Sequence, residues 1–200
     1  MMHASPGRHA PPGQALFMEK TMKTILPLAA LLMASSPALA FELTSPDIAE
    51  GKTLPAAQVA NIFGCSGGNV SPGLAWKDAP AGTKSFAVTM YDPDAPTGSG
   101  WWHWVVYNIP ASATGLPAGA GAADGKTLPP GALQGHNDAR VIGFVGACPP
   151  PGPAHRYVVT VTALKAEKLE LPADASAAMI GFMTTMNSLG KATITGTYGQ

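Results

Sequence analysis

Apolar and polar side chains alternate most clearly along Ser85–Asp92 (SFAVTMYD). Phe86, Val88, Met90 and Asp92 point one way and Ser85, Ala87, Thr89 and Tyr91 the other, which predicts a strand. Trp101–Ile109 (WWHWVVYNI) predicts a second, with Trp101, His103 and Val105 on one face and Trp102, Trp104 and Val106 on the other. Arg156–Leu164 (RYVVTVTAL) is rich in β-branched residues and predicts a third, and Ala192–Tyr198 a closing one. Weaker alternation over 41–48, 71–76 and 141–145 predicts short strands. A helix is predicted over Ala175–Leu189, with Asp174 as N-cap and Gly190 as its stop. Its Met179, Phe182, Met183 and Met186 fall at helical spacing and are read as core packing. Between the second and third strands, residues 110–154 read mostly as loop, and a loop that long is more often functional or tied down than idle.

Composition agrees with a turn-punctuated, mainly β protein. Of 200 residues 23 are Gly and 20 Pro, and only 12% are charged, about half the usual share. The formal net charge of zero argues against nucleic acid as a partner, because phosphodiester binding needs a basic stripe. No apolar run reaches the 18 residues that a membrane span needs.

The first 40 residues read as lying outside the domain. The segment beginning at Met22 (MKTILPLAALLMASSPALA) has the parts of a secretory signal peptide. Lys20 and Lys23 supply the positive region, Ile25–Met33 the apolar core, and Ala38-Leu39-Ala40 the cleavage site, leaving Phe41 as the mature N-terminus. Residues 1–21 read as an over-extended start. The expected arrangement is thus a leader over 1–40 and a single domain over 41–200, periplasmic or secreted. The mature part holds 9 basic and 11 acidic residues and both cysteines, Cys65 and Cys148. Export permits a Cys65–Cys148 disulfide closing a long loop; a reactive thiol at Cys65 is the alternative.

Candidate chemistry concentrates in two segments. In Tyr91–Trp104 (YDPDAPTGSGWWHW) an extended Asp92–Asp94 places both carboxylates on one side, close to His103 on an aromatic-rich surface. In Cys148–Tyr157 (CPPPGPAHRY) a stiff proline loop enters a strand on which His155 and Tyr157 share a face. The bland alternative makes the aspartates turn residues and His103 a core histidine. Together the segments suggest a small polar pocket in an aromatic setting. Asp92, His103 and His155 could form a two-histidine, one-carboxylate metal set, but no ligand spacing supports it. AGAADGKT (120–127) resembles a phosphate loop, yet Leu128-Pro129-Pro130-Gly131 stops the helix that must follow. Ser99 in TGSGW lacks the strand-to-helix elbow of a hydrolase nucleophile. No metal and no cofactor is expected.

These segments, with NVSPGLAW (69–76), PAGTKSFAVTMYDPDAPTGSGWWHWVVYNIP (80–110) and the C-terminal helix, resemble the phosphatidylethanolamine-binding protein family, also called Raf-kinase-inhibitor-like, in its bacterial branch. The resemblance implies antiparallel sheets with Greek-key connections, a few short helices and a small anion pocket accepting phosphate-like groups. By motif, Asp92, Pro96, His103, Pro150, His155 and Tyr157 would line it, with Asp94 and Trp101 in support. Imidazolium and tyrosine hydroxyl groups can donate to phosphate oxygens. Cys148 stands where animal members often carry glycine, and a disulfide there would stiffen the rim. The expectation is an exported, non-enzymatic binder of a small anionic or phosphate-bearing ligand. The alternatives are a protein-interaction or protease-inhibitor module acting through exposed loops, and a weak hydrolase.

Overall fold

The computed structural model describes residues 40–200, so the leader assignment over 1–40 lies outside the described residues except for Ala40. Two antiparallel sheets and a helix form three layers. The smaller sheet joins β1 (Glu42–Thr44), β2 (Leu74–Lys77) and β5 (Gly115–Leu116) in the order β1-β2-β5. The larger contains β3 (Ser85–Asp92), β4 (Trp101–Pro110), β6 (Leu133–Gln134), β7 (His155–Leu164) and β8 (Ser188–Tyr198) in the order β6-β4-β3-β7-β8. After β4 and β6 the chain returns β7 to the free side of β3, which is the Greek-key arrangement.

Between the sheets lies the main core: Leu43, Leu74 and Trp76 from the small sheet meet Phe86, Val88, Met90, Trp104, Val159 and Val161 from the large one. Val88, Val159 and Val161 are fully buried, each worth about 1.5–3 kcal/mol in transfer terms. On the opposite face of the large sheet, Ala87, Val105, Tyr107 and Leu164 pack under the helix α1 (Ala177–Met186). Both faces of the central strands are therefore buried, which explains their nearly continuous apolar character.

Simple alternation along β4 does not survive. Met90 pairs with Trp104 and Tyr91 with Trp102, leaving His103 as the extra residue of a β-bulge. Trp101 and His103 line one pocket, but the bulge then brings Trp104 and Val106 into the core between the sheets. Val105 joins Trp102 on the helix side instead of sharing the face of His103.

The helix is shorter and turned relative to the sequence reading. Ser176, not Asp174, caps it by accepting from the Met179 amide at 3.2 Å. It ends at Met186, and Gly190 lies inside β8, paired with Ala163. The buried stripe is Ala177, Ile180 and Thr184, while Met179, Phe182 and Met186 are exposed and Met183 is half-buried. Close approach is the reason. Gly181 rests on the Trp102 ring, where a Cβ would sit 3.4 Å away, and Ile180 fills the space above Gly135. Gly181 lets the helix approach Trp102 while Ile180 docks over Gly135, and Met179, Phe182 and Met186 are left outside. Residues 141–145 form no strand; they are a loop with one bridge, His136 to Ile142.

Candidate functional site

The end of β3 and the start of β7 build the first half of the site. Register places Tyr91 opposite Val158 and Asp92 opposite Trp101, so Asp92 lies between the aromatic strand and the HRY segment. Its Oδ1 accepts from the Asp94 amide at 2.8 Å, forming an Asx turn. Its Oδ2 accepts from His155 Nδ1 at 2.7 Å, and both side chains are nearly buried. This pairing fixes the Nδ1 proton of His155 and leaves Nε2 as its free ring nitrogen.

Asp94 acts from outside the pocket. Its carboxylate accepts from Arg156 Nη2 at 2.7 Å, Nε at 2.9 Å and the Arg156 amide at 2.9 Å. Those hydrogen bonds hold its pKa down at about 2 and pin the turn to β7. The turn re-enters β4 through Gly100 at φ 68, where a Cβ would collide with the Tyr91 hydroxyl and the Asp92 carbonyl.

The second half is held by the loop before Cys148. His103 is locked twice to Val145: its carbonyl accepts from the Val145 amide at 3.0 Å, and its Nδ1 donates to the Val145 carbonyl at 2.8 Å. The carbonyl partner sets the tautomer, so Nε2 is again the free nitrogen. Burial pushes the His103 pKa below its ordinary value and so favours the neutral ring. Its ring meets Tyr157 edge-on with centroids 5.1 Å apart. Tyr157 is fully buried, and its hydroxyl has no hydrogen-bond partner within the protein. Burial also raises the Tyr157 pKa well above 10, so the phenol remains a donor throughout the physiological range.

These groups surround one cavity of about 190 Å³. Asp92, Pro96, His103, Pro150, His155 and Tyr157 all line it; Trp101, expected only in support, lines it too, while Asp94 stands behind the turn. Thr97 and Phe63 also line it and were not anticipated. Thr97 was legible only as a turn residue, and no local pattern marks Phe63, which reaches the cavity because Cys65 is bonded to Cys148. That disulfide is formed, with Cα atoms 6.0 Å apart, so Cys65 is no reactive thiol. Among the described residues no cluster of His, Cys, Asp or Glu could hold a metal ion. The phosphate-loop look-alike is a series of turns, and Ser99 lies in an exposed turn with its carbonyl accepting from Tyr91.

Comparison with known proteins decides the family. The model of the family described as phosphatidylethanolamine-binding protein matches residues 44–199. The chain belongs to this family. Among its relatives, the UPF0098 protein YbcL of Escherichia coli is 51% identical over 180 residues, covering 88% of this chain and 98% of that protein. YbhB of the same organism is 51% identical over 154 residues, covering 77% and 97%. The crystal structure of E. coli YbcL, a member of the mammalian PEBP family, superposes with a TM-score of 0.79, covering 81% of this chain and 99% of that one. A Chlamydia trachomatis homolog, CT736, is 28% identical with a TM-score of 0.67, covering 80% and 98%. The PEBP fold thus accounts for the antiparallel sheets and the single helix of the described residues. Among these residues no helix is long and apolar enough to cross a membrane.

Proposed function

We propose that this PEBP-family protein is an exported, non-enzymatic binding protein whose pocket accepts a small anion, with a phosphate group as the best fit. The observation that carries the reading is the Tyr157 hydroxyl, buried without a protein partner on a side chain that lines the cavity. A buried hydroxyl left unpaired is costly, and a ligand oxygen is the partner the cavity can admit. His155 Nε2 supplies a second polar contact, and neutral His103 Nε2 accepts a proton from a protonated phosphate oxygen or donates after taking one up. The Asp92–His155 pair would suit a hydrolase base, but the lining offers no free serine, threonine or cysteine nucleophile. Cys148 is in a disulfide, and the Thr97 hydroxyl is engaged by the Gly100 carbonyl.

Isothermal titration with phosphate, phosphoethanolamine and acetate tests the reading. Binding of the phosphate-bearing ligands, lost in His155→Ala, supports it; no binding, or binding indifferent to that substitution, overturns it. Mass analysis of the exported protein tests the leader, with a mature chain beginning at Phe41 as the expected result.

A further inference from the structure

Phe63 is an odd residue to find in the open. It is 65% exposed, and its backbone sits at φ 58, a conformation that bulky side chains rarely adopt. Backbone strain of this kind collects at ligand sites, where the surrounding structure enforces it. Here the enforcement is visible on both sides. Ahead of Phe63, the Ala60 amide donates to the Ala147 carbonyl at 2.9 Å and the Ala147 amide to the Gln58 carbonyl at 3.0 Å. Behind it, the Cys65–Cys148 disulfide ties the turn to the proline loop. An exposed phenyl ring is thereby fixed at the edge of the pocket.

The cavity is divided by burial. His103, His155 and Tyr157 are buried and form a polar floor, while Phe63, Pro96 and Pro150 are exposed and Trp101 half-exposed, forming an apolar collar. Its volume of about 190 Å³ exceeds the ~150 Å³ of a cavity that holds benzene. A phosphate group on the floor leaves the collar unfilled. We propose that Phe63 is a specificity-determining residue that packs on the organic substituent of a phosphate monoester, so that the pocket prefers an ester with a flat apolar group over free phosphate. This rests on the anion-pocket reading above.

Titration calorimetry of the wild-type protein, Phe63→Ala and Phe63→Tyr with inorganic phosphate and with phenyl phosphate tests it. The wild type is expected to bind phenyl phosphate about tenfold more tightly than phosphate, the size of one good aromatic contact. Phe63→Ala should remove that preference, bringing the two affinities together, and Phe63→Tyr should keep it. Replacing both cysteines by serine should weaken the preference with Phe63 still present. If phosphate binds but Phe63→Ala leaves the ratio intact, or the wild type shows no preference, Phe63 has no such role and the anion pocket stands. If neither ligand binds the wild type, the pocket reading and this inference fall together.

Discussion

Replacing Tyr157 by phenylalanine should move stability and binding in opposite directions. The ring is fully buried against His103 and would keep its packing, so the substitution removes one oxygen and little else. That oxygen has no partner within the protein. An unpaired buried hydroxyl costs about 1–3 kcal/mol, and the lower end of that range sets the expected gain. Tyr157→Phe should therefore stabilise the unliganded protein by about 1 kcal/mol, a rise in Tm of about 2–4 °C for a domain of this size. The same oxygen donating to a charged phosphate is worth about 1.5–3 kcal/mol, so phosphate affinity should fall by about ten- to a hundredfold. Calorimetric melting without ligand and titration with phosphate read the two effects on one sample. A hydroxyl serving only the fold gives the reverse pattern. If Tyr157→Phe lowers Tm, or binds phosphate like the wild type, the reasoning is wrong.

Three further outcomes follow from the same geometry. The disulfide spans 83 residues of sequence, and its removal by Cys65→Ser with Cys148→Ser should cost about 4 kcal/mol in urea denaturation; a loss below about 1 kcal/mol would contradict that constraint. Because burial depresses the His103 pKa, the unfolded chain binds the proton more readily, so this residue withdraws stability as pH falls through 6.5. Anion binding favours the charged ring, and affinity for sulfate, whose charge is constant in this range, should rise from pH 7 to pH 5; a flat profile would count against His103 as a contact. Gly181→Leu should destabilise by about 1–3 kcal/mol by forcing α1 off Trp102, whereas Phe182→Ala on the exposed face should stay within about 0.5 kcal/mol; equal effects would contradict the docking described.

Three of the four long strands were legible because local pattern and tertiary role coincide in them, while β8 starts four residues before its predicted bound. Ser85–Asp92 is β3 to the residue, and β4 and β7 each exceed the predicted bounds by one residue. The polar residues of the pocket were legible for a related reason. DPDAP, WWHW and HRY each place their chemistry at a strand end, and pairing of β3 with β4 and β7 gathers those ends. What escaped depends on contacts distant in sequence. Two stripes of α1 share helical spacing, and only the close approach to Trp102 and Gly135 decides that the stripe of Ala177, Ile180 and Thr184 faces inward. The His103 bulge appears only in the pairing of two strands. Phe63 belongs to the pocket through the partner of a neighbouring cysteine 83 residues away.

In the proposed complex two imidazoles face one anion, and nitrogen-detected NMR observes them directly. During a phosphate titration the Nε2 resonances of His103 and His155 should shift together along one binding curve, while His136, outside the cavity, stays in place. Shifts at His136 alone, or none at His103 and His155 up to saturating phosphate, would show that this pocket is not an anion site.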